Sequence, residues 1–299
     1  MNKNYLFLKS ICGASIIILV LIACLPTVIS QYSTYASLNK TEVSKNSTAS
    51  DSSANFILLS DEKITINSSN LPLYDKYTVP ERKSLNLDQN LPPVKPYYGE
   101  RTVYLTFDDG PEPENTPAIL DILKEYNIKA TFFVVGTQVE KYPEILKRIF
   151  SEGHAIGNHS YNHIYRDLYK SSMTYLNQLY QTDDKIKNII GFRPRISRAP
   201  GGSAGSFTKE YWNALEHNGY VEVGWNISSG DASSAKASQI TANIARQLEQ
   251  QHLWSHSIVL MHDGRGHNET VSALPNIIKL YKDKGFEFRV VSIETPPAW

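Results

Sequence analysis

The sequence predicts an α/β fold, a distorted TIM-like (β/α)7 barrel behind an N-terminal membrane segment. Three observations predict it. From residue 101 on, short apolar runs alternate with amphipathic runs of 10–16 residues, the pattern of βαβ units and a mostly parallel sheet. Seven such units fill the last 200 or so residues of the 299, which suits a slightly short barrel better than an open doubly wound sheet. Near the start, Ile11 to Ile29 form an apolar run of 19 residues, close to the roughly 20 that span a bilayer as a helix.

The expected layout has three parts. Residues 1–30 hold no acid, and Lys3 and Lys9 precede the apolar run, which places the N-terminus inside and the remainder outside. The run is longer than a signal-peptide core and no Ala-x-Ala follows, so an uncleaved anchor is favoured. Leu21-Ile22-Ala23-Cys24 resembles a lipoprotein cleavage box, and a secreted form is the other alternative. Residues 31–100 read as a flexible stalk and an extended lead-in. The stalk is rich in Ser, Thr and Asn, too poor in apolar surface to offset its ordering entropy. In the lead-in, Phe56–Leu59 and Lys63–Ile66 read as short strands, and Pro72, Pro80, Pro92, Pro93 and Pro96 punctuate the rest. Residues 101–299 read as one folded domain.

Composition excludes several classes. Thirty basic side chains balance thirty acidic ones, so the basic excess of a nucleic-acid binder is missing. Charged residues at 20% and apolar ones at 41% exclude wholesale disorder. The two cysteines, Cys12 and Cys24, both lie in the apolar run, so neither a disulfide nor a thiolate metal site supports the rest. No Gly-x-Gly-x-x-Gly or Walker loop follows a strand, which argues against a nucleotide cofactor.

Within the domain, strands are expected at 103–107, 130–135, 155–158, 195–197, 220–223, 258–261 and 288–291. Helices are expected at 115–126, 143–151, 174–189, 208–218, 239–251 and 270–284. A parallel barrel carries its chemistry at the C-terminal ends of its strands. Those ends read Thr106-Phe107-Asp108-Asp109-Gly110, then Asn158-His159-Ser160-Tyr161-Asn162-His163, then Arg198-Ala199-Pro200-Gly201-Gly202. Two more follow: Trp225 through Asp231, and Leu260-Met261-His262-Asp263. All would converge on one mouth.

His159 and His163 are four apart, so one helical turn would bring both imidazoles to the same side. Two imidazoles and a carboxylate form the ligand set of a catalytic zinc site with a position left for water, whose pKa such a metal lowers to about 7. The carboxylate would come from Asp108 or Asp109. The same His spacing at His252 and His256 lies before a strand, with no acid pair nearby, and reads as structural or surface. His154 reads as a packing residue and His217 as a helix-surface residue, while His267 lies within reach of the mouth without an assigned role.

Taken together, TFDDG at 106–110, His-Ser-x-x-His at 159–163, Arg-x-Pro-x-Gly at 198–202 and Leu-x-His at 260–262 resemble the motifs of the polysaccharide deacetylase family, in order and at plausible spacing. That family is the NodB-homology domain of carbohydrate esterase family 4, and the chain resembles its bacterial peptidoglycan N-acetylglucosamine deacetylases most. The resemblance implies a divalent metal, usually zinc, with cobalt, manganese or nickel as alternatives. It implies Asp108 as base, Asp109, His159 and His163 as metal ligands, and His262 as acid, charge-paired with Asp231. Arg198 would orient Asp108, the N–H of Gly201 would hold the oxyanion, and Leu260 and Trp225 would line the acetyl pocket. The fourth motif departs from the common Asp-x-x-Asp-Trp: Ser228 and Ala232 stand where the first acid and the Trp would be.

The function so implied is removal of N-acetyl groups from amino sugars of a cell-wall glycan, outside the cytoplasmic membrane, by a monomer. Chitin-type, xylan or exopolysaccharide substrates are the alternatives, as is an inactive wall-binding homologue.

Overall fold

In the computed structural model, the described residues are 56–61 and 70–298. The expected membrane segment, most of the stalk and the strand at Lys63–Ile66 lie outside them. Among the described residues no helix is long and apolar enough to cross a membrane.

The strands in chain order are β1 (Ile57–Leu59), β2 (Leu73–Asp75), β3 (Thr102–Asp108), β4 (Thr131–Val134), β5 (Ala155–Asn158) and β6 (Arg193–Pro194). They continue as β7 (Ile196–Ser197), β8 (Val221–Glu222), β9 (Ile227–Ser228), β10 (Ser257–His262) and β11 (Glu287–Phe288). The helices are α1 (Val79–Ser84), α2 (Asn115–Glu125), α3 (Gly136–Lys141), α4 (Pro143–Ser151), α5 (Tyr165–Leu168), α6 (Ser172–Ile190), α7 (Lys209–His217), α8 (Ala237–Gln247) and α9 (Asn268–Asp283).

The main sheet is parallel and runs β8-β7-β5-β4-β3-β10-β9. Its middle strands are buried along their whole length, as expected of parallel strands covered on both faces. The sheet is consistent with the expected distorted (β/α)7 barrel and departs from a regular one in two respects. The sheet is curled but open, since β8 and β9 do not pair among the described residues. The seventh expected strand does not stand between the sixth and the first. Instead β10 pairs directly with β3 from Val103 to Asp108, and β11 meets only Thr102 and Val103. The extra strand β9, inside a stretch expected to be loop, extends the sheet beyond β10.

Much of the lead-in is built into the fold. β1, β2 and β6 form a second, small sheet. Helix α1 is not among the expected helices, since Pro80 reads as punctuation in the sequence. Pro80 lies in its first turn, where a missing N–H costs nothing, and Thr78 with Glu81 forms a capping box. Asp75, fully buried, accepts from Arg82 Nε at 2.7 Å, Arg195 Nη1 at 2.6 Å and Arg193 Nη2 at 3.1 Å. Burial opposes ionisation of Asp75, but the three guanidinium groups hold its carboxyl below the usual carboxylate range. Arg193 also reaches Asp183 Oδ2 of α6 at 3.1 Å. The long helix α6 stops at Gly191, which takes the left-handed conformation that a helix end of this type requires.

Candidate active site

Every sequence-predicted site residue lies at the C-terminal edge of the sheet. A hollow of about 340 Å³ is lined by Asp108, Asp109, His159, His163, Gly201, Trp225, Leu260 and His262, together with Tyr165, Ala232 and His267. Arg198 and Asp231 stand behind this lining and act on it through hydrogen bonds.

Strand register places the two proposed proton-handling groups. His262 of β10 and Asp108 of β3 are direct partners on neighbouring parallel strands. Arg198 is fully buried and donates from Nη1 to Asp108 Oδ1 at 2.9 Å and to Thr106 Oγ1 at 2.6 Å. Its other nitrogens donate to the carbonyls of Val223 and Gly224 at 2.9 and 3.0 Å, and its Cζ lies 4.1 Å from the Phe133 ring centroid. A planar fork with five donors meets that arrangement, which a single ammonium cannot.

The histidine pair converges by another route than expected. Residues 159–163 form a tight loop, not a helical turn; Ser160 and His163 have φ of 68° and 57°. Asn158 Oδ1 accepts the Ser160 N–H at 3.1 Å, and Gln178 Oε1 accepts from both Tyr161 and Asn162. The imidazole centroids end 5.1 Å apart. His159 Nδ1 lies 2.8 Å from the Arg198 carbonyl, which only accepts, so Nδ1 carries the proton and Nε2 is left with its lone pair.

Asp109, held at φ 80°, brings Oδ1 to 3.5 Å from His159 Nε2 and 3.2 Å from His163 Nε2. That oxygen is buried and makes no hydrogen bond. Three electron-pair donors thus face one point, the requirement of a divalent cation with two imidazoles and one carboxylate. Burial opposes ionisation of Asp109, but His159, His163 and His262 hold its carboxyl far below the usual carboxylate range. The residues fit a metal.

Across the hollow, Asp231 Oδ1 accepts from His262 Nδ1 at 2.8 Å, and its Oδ2 accepts from the His262 N–H at 2.7 Å and from Thr270 Oγ1 at 2.8 Å. Burial alone would lower the His262 pKa, yet its bond to Asp231 and the charges of Asp231, Asp108 and Asp109 push it up to about 9. Gly201 has φ 73°, and a Cβ there would press on the Tyr165 ring at 3.1 Å. Ser228 is exposed, its N–H and carbonyl tied to Gln247 of α8, and Ala232 leaves its part of the mouth open.

The chain is similar to known proteins. The family model for polysaccharide deacetylase matches residues 95–223. A peptidoglycan-N-acetylglucosamine deacetylase of Bacillus cereus is 35% identical over 201 residues, 65% of this chain and 71% of that protein. The chain belongs to the polysaccharide deacetylase family. Solved structures agree. The polysaccharide deacetylase Bc1974 from Bacillus cereus superposes with a TM-score of 0.59 at 34% identity, over 66% of this chain and 94% of that one. A Streptococcus mutans CE4 esterase gives 0.61 at 33% identity, over 64% and 87%.

Two contributors to the deacetylase site were missed by sequence reasoning. Asp263 is buried and accepts from the Gly110 N–H at 3.0 Å and from Thr116 Oγ1 at 2.6 Å, which braces the loop after β3. Burial, with the nearby charges of Asp109 and Asp108, pushes its carboxyl up to about 7. The signal available was an acid directly after Leu-x-His. Tyr165 forms one wall, edge-on to His163 at 5.4 Å and stacked on Tyr169 at 6.1 Å. No local pattern marked it. The second pair, His252 and His256, lies in the short 3-10 turn before β10, away from the mouth.

Proposed function

We propose that this deacetylase removes N-acetyl groups from amino sugars of a cell-wall glycan, peptidoglycan foremost, with a divalent cation held by Asp109, His159 and His163. The observation that carries the reading is the placing of Asp108 and His262 as register partners beside that ligand set, in one hollow. Two imidazoles and a carboxylate favour zinc, with cobalt, manganese or nickel as alternatives. When bound, such a cation polarises the amide carbonyl and makes water acidic enough to supply a nucleophile near neutral pH.

The chain's own residues do the rest. Asp108 takes a proton from the attacking water as its oxygen bonds to the acetyl carbon. Arg198 holds Asp108 oriented for that task. The Gly201 N–H donates to the carbonyl oxygen as it gains charge; such a donor contributes about 2.7–4 kcal/mol. The C–N bond then breaks, and His262, kept protonated by Asp231, gives its proton to the departing nitrogen. The products are acetate and a free amino sugar. Leu260 and Trp225 enclose the acetyl methyl.

The wall as location agrees with the reading of residues 1–30 as an anchor, or a lipoprotein or secretion signal, ahead of a monomeric catalytic domain. Acetate release from purified wall glycan tests the proposal. Asp108→Asn abolishes turnover and keeps the metal, whereas Asp109→Asn loses the metal. Wild-type turnover by Asp108→Asn would contradict the assignment of the base.

A further inference from the structure

Beside the hollow that holds the proposed ligands lies a second one, of about 230 Å³, and the two share Asp109, His163 and His267. It adjoins the hollow in which the acetyl group would sit. Its lining is largely polar, and three of its side chains are uncommitted. Thr137 and Gln138 make no side-chain hydrogen bond among the described residues, and Arg265 is an exposed cation with neither an ion pair nor a hydrogen bond among them.

The loop that carries Arg265 is braced on both sides. Asp263 before it is buried and holds Gly110 and Thr116. The Gly264 carbonyl accepts from Asn115 Nδ2 at 2.7 Å and from the His267 N–H at 3.3 Å, and a Cβ at Gly264 would lie 2.8 Å from that of Asp109. Behind Arg265, His267 is stacked on His262, with centroids 4.9 Å apart. The backbone is thus placed relative to the site while the guanidinium has no partner. Such a group, beside free hydroxyl and amide side chains, is suited to a carboxylate carried on a sugar.

We propose that Arg265 selects a glycan in which the sugar next to the reacting N-acetyl sugar bears a carboxylate, and so sets the preference for an anionic wall glycan over a neutral N-acetylglucosamine polymer. The inference rests on the deacetylase reading above and adds to it the charge class of the substrate. Arg265 is a specificity residue here and takes no part in the bond-breaking step.

The test compares acetate release by the full chain and its Arg265→Ala and Arg265→Lys variants on three substrates. These are a neutral N-acetylglucosamine oligomer, wall glycan strands stripped of stem peptides so that the carboxylate sits directly on the sugar, and strands that keep the peptides. Arg265→Ala is expected to raise KM about fivefold on a carboxylate-bearing strand with kcat unchanged, and to leave the neutral oligomer unaffected. Arg265→Lys recovers part of the loss, and added salt erases the wild-type preference. Whichever of the two strands shows the effect identifies the carboxylate. An equal change on all three substrates, or none on any, overturns the inference while the deacetylase reading stands. Acetate release from none of the three by the unmodified chain overturns both.

Discussion

Asn158 Nδ2 donates to Asp183 Oδ1 at 2.8 Å, and through this bond the histidine loop is joined to a buried charge network that begins near residue 75. Asp183 accepts from Arg193 and from the Tyr220 hydroxyl, and Arg193 reaches Asp75. On its other side Asn158 holds the Ser160 N–H, one residue past His159. The strand before the domain, the long helix α6 and the candidate metal ligands are thereby one connected unit.

That connection makes Asp75 a stability residue. Asp75→Ala leaves three buried guanidinium groups without their shared counter-charge, and removing one partner of a buried ion pair costs about 3–5 kcal/mol. Urea denaturation of the variant should show a loss of this size. Because the folded carboxyl titrates below its unfolded value, this contribution is present above the unfolded pKa and fades as pH falls toward the folded one.

Arg198→Lys is expected to behave as a loss-of-function change despite its retained charge. One ammonium cannot reach Thr106, Asp108 and the carbonyls of Val223 and Gly224 together, and each buried partner left unpaired costs about 1–3 kcal/mol. Thermal melting should show the destabilisation, and acetate release should fall further than the melting temperature alone explains, since Asp108 loses its orientation.

The pH profile should carry a basic limb from His262. The proposed acid works only when protonated, so turnover declines as pH rises through about 9. The His262–Asp231 contribution to stability has the same sign: it is complete below the unfolded histidine pKa and lost as pH passes the folded one. In Asp231→Asn the carboxylate that raises His262 is gone, and the limb should move to lower pH. A limb that stays in place would assign the proton to another group.

The loop after β3 gives a further prediction. A Cβ at Gly110 would collide with the Asp263 carboxylate. Gly110→Ala should therefore displace Asp109 and weaken metal retention, measured as metal content after dialysis.

The parts of this site legible in the sequence were those with short-range signatures. Asp108–Asp109, His159 with His163, Arg198 and His262 each end a strand or follow one within a few residues, and strand ends in a parallel sheet meet at one edge. Asp263 and Tyr165 were not legible as site residues, because their roles depend on Gly110, Thr116 and His163, brought near only by folding. The open sheet escaped prediction for a similar reason. Periodicity gives a strand at 288–291 but does not report that β10 already occupies one whole edge of β3, so that β11 meets only Thr102 and Val103. Helix α1 was hidden by Pro80, whose meaning depends on whether it falls inside a helix or in its first turn.

Removal and return of the metal tests the central claim most directly. Treatment with a chelator should abolish acetate release from purified wall glycan, and one equivalent of zinc per chain should restore it in the unmodified protein but not in Asp109→Asn. Acetate release that continues undiminished in metal-free protein would contradict the account.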